Sequence, residues 1–246
     1  MKQAGLLVFL LVLSFIVGCI TPPVQVVNTS VVSSDRWLAK EGIAYTKNAT
    51  AIVIEAPNCS NCDYANYVLQ QIQTDALGTD IIQIRKVDYG SSEGNLLISY
   101  YQIDKLPTLI LKKNGEWDQR TLQTWSENTG TFEGDGALVL RQVYPPYYDV
   151  KTGEIKGIVK FMLIINGSDA EANATADALS NQFKFIYVKN ELNASSPEAQ
   201  RIMMEYNLSK VPAVLLSPDA AVYPGFKDAW LKANNTVEKD GTFVLR

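Results

Sequence analysis

The sequence predicts an α/β protein made of two similar units of about 100 residues, and two observations predict it. The stretch Lys105-Leu-Pro-Thr-Leu-Ile-Leu111 recurs as Lys210-Val-Pro-Ala-Val-Leu-Leu216, 105 residues later. In both halves, apolar runs of strand length alternate with segments of helical periodicity, a pattern typical of α/β domains. A chain of 246 residues is long enough for two such units.

Further landmarks share the same offset. They are Tyr101 with Tyr206, Trp125 with Trp230, and the segments 135–141 and 240–246, which read DGALVLR and DGTFVLR. Several landmarks at one spacing indicate a tandem duplication rather than coincidence.

The elements of the first unit follow from apolar patterning. A short apolar run predicts a buried strand at 51–56, and Ala65, Val68 and Ile72 at helical spacing predict a helix over 60–77. A strand at 81–87, a helix at 91–103 and a strand at 107–112 complete the unit. The sequence Lys113-Asn-Gly115 predicts a hairpin turn directly after the last strand.

The second unit repeats this order. Its predicted strands and helices lie at 159–165, 170–182, 183–189, 197–208 and 211–216. Between the units, Tyr144-Pro-Pro-Tyr-Tyr148 predicts either a rigid extended connector or a binding ledge. We therefore divide the chain into segments 1–18, 19–36 (a flexible tether), 37–143 (first domain), 144–150 (linker) and 151–246 (second domain).

Composition excludes several classes of function. The chain has 22 Lys and Arg against 26 Asp and Glu, a net charge of −4, without the clustered basic residues that nucleic-acid binding needs. It contains no histidine. Catalysis by Ser/His or Cys/His pairs and zinc binding through histidine are therefore excluded.

The N-terminus predicts export. Lys2 precedes an apolar run over 6–17, which is too short for a typical transmembrane helix and fits a signal peptide over 1–18. Ile16-Val17-Gly18-Cys19 resembles the lipobox of prokaryotic lipoproteins, which implies that Cys19 becomes the lipid-modified first residue. The alternative is a plain signal or an uncleaved anchor. We expect the mature chain to lie outside the cytoplasm, attached to the outer face of the cell membrane.

Glycosylation sequons support export. Eight N-x-S/T motifs occur where composition alone would give about two, at Asn28, Asn48, Asn58, Asn166, Asn173, Asn193, Asn207 and Asn234. The excess indicates a glycoprotein from an N-glycosylating host such as an archaeon. We expect Asn58 to stay unmodified, because a sugar there would obstruct Cys59.

Cys59-Ser-Asn-Cys62 lies where the first predicted strand meets the first predicted helix. A cysteine at a helix N-terminus faces unpaired N–H groups and the positive end of the helix dipole, which favours its thiolate and lowers its pKa. A reversible disulfide, a structural disulfide and a metal site all remain open. A bridge across two residues closes a very short loop and stabilises little, and two thiolates without histidine are too few for a typical zinc site.

The strand, C-x-x-C, helix, strand, helix order, followed by Leu106-Pro107-Thr108, resembles the thioredoxin superfamily over residues 50–115 and, without cysteines, over 158–217. The resemblance implies a central mixed sheet flanked by helices in each unit. Because Cys59 lies nearer the predicted helix start, we expect it to be the attacking sulfur, and we expect Cys62, one turn further along, to be the buried resolving thiol. The resemblance also implies that Pro107 is cis and faces the cysteines, and that the Leu106 backbone pairs with substrate.

The sequence departs from the family pattern in several places. The pair between the cysteines is Ser60-Asn61, Asn58 replaces the tryptophan of thioredoxins, and Val53 replaces their buried aspartate. Glu55 is the nearby carboxylate, and strand alternation predicts that it is exposed rather than a proton shuttle. The preferred redox direction is therefore open. In the second unit, Asn166-Gly-Ser-Asp169 takes the place of the cysteines, while Pro212 is retained.

These observations predict an extracytoplasmic thiol–disulfide oxidoreductase that acts on protein clients through Cys59 and Cys62, without a further cofactor and without a bound metal. Such a protein needs an electron partner, and a quinone-linked thiol oxidase or a thiol-shuttling reductase of the membrane would serve. The alternatives are a non-catalytic binding or scaffold protein with an inert disulfide, and a metal-delivery module that uses the two thiolates.

Overall fold

A computed structural model of the chain describes residues 49–74, 81–167 and 170–245. The predicted signal peptide (1–18), the lipidation site Cys19 and the tether (19–36) lie outside the described residues. None of the helices within the described ranges is long and apolar enough to cross a bilayer.

The first sheet has five strands. The elements in chain order are β1 (Ala49–Glu55), α1 (Tyr64–Thr74), β2 (Ile81–Asp88), α2 (Ser92–Tyr101), β3 (Lys105–Leu106), β4 (Thr108–Lys113), α3 (Gln119–Asn128), β5 (Gly130–Phe132) and β6 (Leu138–Leu140). The strand order is β2-β1-β4-β6-β5, with β1 and β2 parallel and β4 antiparallel to both β1 and β6. The predicted α/β class with a mixed sheet is confirmed.

Apolar residues on both faces of β1 explain its central place. Ala51 and Val53 on one face pack against α1 and α3, and Ile52 and Ile54 on the other face pack against α2. A strand covered on both faces reads as a continuous apolar run, which is why the sequence predicted it. Its last residue, Glu55, leaves this core at the edge where the cysteine loop begins.

The second sheet has the same arrangement. Its elements are β9 (Ile158–Ile165), α4 (Ala170–Phe183), β10 (Ile186–Asn193), α5 (Pro197–Glu205), β11 (Ala213–Leu216), a 3-10 helix (Pro218–Val222), α6 (Phe226–Lys232), β12 (Thr236–Val237) and β13 (Phe243–Val244). The strand order is β10-β9-β11-β13-β12, and β9 pairs with β10 in parallel. Position for position, this is the order of the first sheet.

Local details recur at the offset of 105 residues. Gln102 and Asn207, which follow α2 and α5, both adopt left-handed backbone conformations, with φ of 51° and 52°. The hydroxyl of Tyr101 donates to Asp135, and that of Tyr206 donates to Asp240, each at 2.7 Å. The equivalent side chains therefore make equivalent bonds in the two halves.

The linker between the two sheets forms a hairpin of its own. Its strands are β7 (Tyr147–Asp149) and β8 (Glu154–Lys156), and β7 pairs with β3 of the first half, giving a third sheet of order β3-β7-β8. The segment is thus more than an extended connector, because strand pairing ties it to the first half. β8 lies within the segment that the sequence assigned to the second domain.

Aromatic rings join the two halves at the linker. The ring of Tyr144 lies 6.1 Å from that of Tyr64 on α1 and 5.7 Å from that of Tyr223 in the second half. The Tyr223 hydroxyl donates to the Gly157 carbonyl at 2.7 Å and accepts from the Ile186 N–H at 3.0 Å. Burial raises the pKa of Tyr223 to about 12, although the backbone hydrogen bond acts in the opposite direction. This hydroxyl therefore stays protonated at neutral pH.

Gly130 is required by close approach at the start of β5. A Cβ at this position would lie 1.8 Å from the Val139 carbonyl oxygen and 2.9 Å from Nε1 of Trp125. We predict that Gly130→Ala lowers the free energy of unfolding by about 2–3 kcal/mol, because the backbone of β6 has to shift. Urea unfolding measures this. Gly134→Ala is the control, since a Cβ there meets nothing within 4 Å; equal losses in both variants would contradict the steric explanation.

A buried ion pair lies beneath the first sheet. Nζ of Lys112 on β4 lies 2.8 Å from Oδ2 of Asp135, and the two side chains are 7% and 5% exposed. Burial acts to raise the pKa of Asp135, but hydrogen bonds from Lys112 and Tyr101 outweigh it, so the net pKa lies below the ordinary value. The cluster is thus held together by charge-assisted hydrogen bonds.

This pair predicts a loss of stability in acid. Because the pKa of Asp135 is lower in the folded than in the unfolded chain, its contribution is fully present above the ordinary value of 3.8 and is lost as pH falls through the folded value. We expect the free energy of unfolding, measured by urea titration between pH 7 and pH 3, to fall less steeply with acid in Asp135→Asn than in the original chain. Parallel curves would rule out this residue as a source of the acid sensitivity.

Candidate functional site

The disulfide between Cys59 and Cys62 occupies the loop from β1 to α1. The two sulfur atoms are 2.00 Å apart and the two Cα atoms 5.4 Å apart. Both cysteines are half-buried, while Asn58, Ser60 and Asn61 beside them are exposed. The pair is therefore oxidised and partly exposed at the surface.

The helix after the cysteines begins later than predicted. Its first main-chain hydrogen bond runs from the Tyr67 N–H to the Asp63 carbonyl at 3.0 Å, so residues 60–63 belong to the loop. Asp63 accepts a 2.6 Å hydrogen bond from the side chain of Asn66, a local contact that favours starting the helix at this residue. The prediction of a helix from residue 60 was wrong.

This boundary changes the electrostatic argument for the cysteines. The dipole of a helix acts within its first turn, and Cys62 lies directly before Asp63, whereas Cys59 lies three residues further away. The helix therefore favours negative charge on Cys62 more than on Cys59. Cys62 is half-buried, as Cys59 is, so the expectation of a buried Cys62 is also not met. The assignment of Cys59 as the attacking sulfur stays a prediction, without the support of the dipole.

Pro107 lies at the same edge of the first sheet as the disulfide. Thr108 pairs with Ile54, which places Pro107 level with Glu55, where β1 leaves the sheet toward Cys59. The Leu106–Pro107 peptide bond is cis, as the resemblance implied. The side chain of Leu106 is fully buried, and Pro107 is buried as well.

The backbone beside Pro107 already has a partner within the chain. Leu106 pairs with Tyr148 of β7 and Lys105 with Asp149, and the Val150 N–H donates to the Asp104 carbonyl at 2.9 Å. In an antiparallel ladder every second residue pair is hydrogen-bonded, so Leu106 and Tyr148 form the next such pair after Asp104 and Val150. The backbone N–H and C=O of Leu106 are therefore bonded to Tyr148. Substrate pairing by Leu106 stays a prediction, and in this structure β7 occupies that edge.

A cleft of about 560 Å³ opens between the cysteine loop and the β7–β8 hairpin. It is lined by Pro57, Asn58, Tyr89, Tyr148, Gly153, Glu154 and Ile155. The rings of Tyr89 and Tyr148 meet edge to face at 5.1 Å, and their hydroxyls are 3.4 Å apart. That hydrogen bond, followed by burial, raises the pKa of Tyr148. The cleft lies next to the disulfide, because Asn58, which lines it, directly precedes Cys59.

Sequence reasoning did not assign Tyr89, Tyr148 or Ile155 to the site. The Pro-Pro-Tyr-Tyr run was the available signal, through the alternative of a binding ledge. The pairing of β7 with β3 spans more than 40 residues, and the apolar pattern of neither strand indicates its partner.

The departures from the family pattern have visible consequences. Val53, at the position of the buried aspartate, is fully buried in the core under the sheet. The carboxylate of Glu55 is 40% exposed and lies 2.6 Å from Nζ of Lys86, whose pKa is raised by this hydrogen bond. Glu55 is thus partly exposed, as predicted, but the reason is its place at the end of β1 rather than strand alternation, because both faces of the strand are covered. Within the described ranges, no three His, Cys, Asp or Glu side chains cluster closely enough to hold a metal ion.

The equivalent edge of the second half differs. Asn166 and Gly167 follow β9, whereas the other two residues of the predicted replacement, Ser168 and Asp169, lie outside the described part. The Val211–Pro212 peptide bond is cis, like that before Pro107. Pro212 is exposed, however, while Pro107 is buried near the linker hairpin.

Comparison with known proteins finds only distant similarity. No protein-family model matches the chain, and no curated protein matches its sequence. Among solved structures, the chain is similar to the alkylhydroperoxide reductase AhpF of Enterococcus faecalis, with 13% identity, a TM-score of 0.22, and 75% of this chain and 88% of that chain covered.

Two further solved structures are similar over most of their length. Human ERp44 has 8% identity and a TM-score of 0.20, with 75% of this chain and 83% of that chain covered. The first two thioredoxin domains of Eps1p from Naumovozyma dairenensis have 12% identity and a TM-score of 0.20, with 81% and 85% covered. Fold and site together define an α/β protein with a surface C-x-x-C disulfide.

Proposed function

We propose that this chain is a thiol–disulfide oxidoreductase with two tandem thioredoxin-like domains, of which the first is active. The observation that carries the proposal is the Cys59–Cys62 disulfide on a surface loop, at the sheet edge that also holds a cis-proline and an open cleft. A purely structural bridge in so short a loop would stabilise little. A reversible bridge explains why both sulfurs stay near the surface.

The exchange proceeds in two balanced steps. In the reduced protein, the Cys59 thiolate attacks one sulfur of a client disulfide, forms a mixed disulfide and releases the other client sulfur as a thiolate. The Cys62 thiolate then attacks Cys59, which restores the Cys59–Cys62 disulfide and releases the second client thiolate. The client gains two electrons and the protein loses two; oxidation of a client dithiol is the reverse sequence. The dithiol pair needs no further cofactor.

Export and anchoring are part of the proposal and depend on the sequence. The signal-like pattern of residues 1–18, the lipobox-like segment that ends at Cys19 and the excess of sequons support a location on the outer face of the membrane. A membrane thiol oxidase or reductase would exchange electrons with the pair there. Expression in an archaeal host, followed by cell fractionation, tests this location. We expect the original chain in the membrane fraction, whereas the control variant Cys19→Ser should lose membrane attachment and be released.

A second candidate is a non-catalytic binding protein with an inert disulfide. The pairing of β7 with Leu106 favours it, because the edge next to the cis-proline is filled by the chain itself. Reduction potential separates the two candidates. Structural disulfides have potentials below about −300 mV, whereas exchanging pairs lie between about −270 and −120 mV.

The deciding experiment is a redox titration of the mature protein in glutathione buffers, with the reduced fraction read by thiol alkylation and mass spectrometry. We expect a midpoint between about −270 and −120 mV, together with reduction of insulin disulfides by the reduced protein. A midpoint below about −300 mV without insulin reduction would overturn the enzymatic proposal in favour of the binding protein.

A further inference from the structure

The β7–β8 hairpin presents a new strand edge beside the disulfide. The backbone N–H and C=O groups of Tyr148 and Val150 point toward β3. Because these groups point to alternate sides along a strand, those of Tyr147 and Asp149 point toward β8. Their partners on β8 are Lys156 and Glu154. Ile155, between these two, therefore directs its N–H and C=O away from β7, toward the outer side of the sheet.

The second half fixes where this outer edge ends. Gly157 lies two residues after Ile155 on the same edge, and its N–H donates to Oδ1 of Asp219 at 3.0 Å. Its carbonyl accepts from the Tyr223 hydroxyl at 2.7 Å. At Gly157 both backbone groups are thus bonded. Among the bonds of the described residues none is formed by the outward groups of Ile155, which leaves one donor and one acceptor on the outer edge of a residue that lines the cleft.

The cleft walls indicate the chemistry of the occupant. Tyr89, Tyr148 and Pro57 provide apolar and aromatic surface, and Ile155, the cross-strand partner of Tyr148, adds a further apolar side chain. The one carboxylate of the lining, Glu154, is paired with Lys156. A wall with compensated charge and aromatic rings favours uncharged, apolar side chains.

We propose that the outer edge of β8 at Ile155 is the docking edge for an extended, uncharged polypeptide segment that presents its cysteine to Cys59. The segment adds a short strand to the β3-β7-β8 sheet through the Ile155 N–H and C=O, and its neighbouring side chains lie against Tyr89 and Tyr148. Asn58, which lines the same cleft, brings the segment to Cys59. The inference rests on the proposed function and names its client class: unfolded or loosely folded chains, because a folded domain has no free strand to add.

This assignment differs from the one that the resemblance implied. The edge at Leu106 is filled by β7, so the hairpin moves the free edge two strands outward, from β3 to β8. In this proposal the linker hairpin is part of the binding surface, which corresponds to the alternative of a binding ledge, and the second half contacts it through Asp219 and Tyr223.

The test separates docking from redox chemistry by using the oxidised protein and a peptide without a thiol. The probe is acetyl-Ala-Val-Ser-Val-Ala-amide at millimolar concentration, observed by amide NMR and hydrogen exchange. We expect the Ile155 amide signal to move and its exchange to slow at least tenfold at saturation. The matched control is the same peptide N-methylated at its three central residues, which keeps the side chains but lacks the donors, and we expect it not to protect Ile155.

Two variants complete the test. Ile155→Pro removes the outward N–H and should weaken peptide binding at least tenfold, whereas Ile155→Val keeps the N–H and should bind like the original chain. If Ile155→Pro does not fold, the exchange measurement on the unaltered protein still decides. Peptide binding without protection of Ile155, equal binding of the N-methylated peptide, or no binding at all would each overturn the docking edge. Loss of insulin reduction with intact protection of Ile155 would instead count against the proposed function alone.

Discussion

Replacing Cys59 by serine is expected to abolish disulfide exchange, reducing the rate of insulin reduction on the order of 100-fold or more. The attacking sulfur forms the covalent intermediate, and a serine hydroxyl cannot replace a thiolate at neutral pH. Cys62→Ser should behave differently, because the attack by Cys59 still occurs but nothing resolves it. That variant should accumulate a mixed disulfide with the client, visible as a mass increase that disappears on reduction.

Ser60→Ala is the matched control, since this exposed residue lies between the cysteines and carries no sulfur. It should reduce insulin at nearly the original rate. If Cys59→Ser rather than Cys62→Ser accumulated the mixed disulfide, the roles of the two cysteines would be reversed. Cys62 would then be the attacking sulfur, which is physically reasonable because it lies closer than Cys59 to the start of α1. Activity retained in both cysteine variants would rule out the pair as the site of exchange.

The regular elements were largely predictable because their signals are local. The strand predicted at 51–56 is observed at Ala49–Glu55, and the helix predicted at 91–103 is observed at Ser92–Tyr101. Ser91 caps that helix by accepting a hydrogen bond from the Gly94 N–H at 2.9 Å, as such a residue before an early glutamate predicts. Burial on both faces of β1 produces a continuous apolar run, and a helix cap produces a polar residue at the helix start, so each can be recognised from a few neighbouring residues.

Errors arose where a local signal competed with another. Lys113-Asn-Gly115 predicted a hairpin, yet α3 and β5 come before β6, the antiparallel partner of β4. Asp118 caps the start of α3, because its side chain accepts a hydrogen bond from the Thr121 N–H at 2.9 Å. This capping residue indicated a helix here and competed with the hairpin signal. In the second half the strand predicted from 183 begins at Ile186, because Phe183 ends α4 and Lys184 takes a left-handed conformation with φ of 54°.

The candidate site was only partly predictable for a different reason. The cysteines and Pro107 stand out as single motifs, and the structure brings them to one edge. The β7–β8 hairpin does not stand out, because its partner β3 has two residues and lies more than 40 positions away. Pairings of this kind depend on contacts between segments that are distant in the sequence, which local periodicity does not encode.

Replacing Lys112 by methionine is expected to lower the free energy of unfolding by about 3–5 kcal/mol. The substitution leaves the Asp135 carboxylate buried beneath the sheet without its cation, and removing one member of a buried pair is much more costly than the net value of the pair. Methionine fills a similar volume, so the loss reflects charge rather than a cavity. Urea unfolding at pH 7 measures it.

The second half, whose sheet has the same strand order, supplies the control for this prediction. Position 217, equivalent to Lys112, is serine, and Asp240, equivalent to Asp135, is exposed while it accepts from Tyr206. Asp240→Asn should therefore cost less than about 1 kcal/mol. Adding Asp135→Asn to Lys112→Met should recover part of the loss, because the unpaired charge is then gone. If the double variant were as unstable as the sum of its single variants, packing rather than an uncompensated charge would explain the effect.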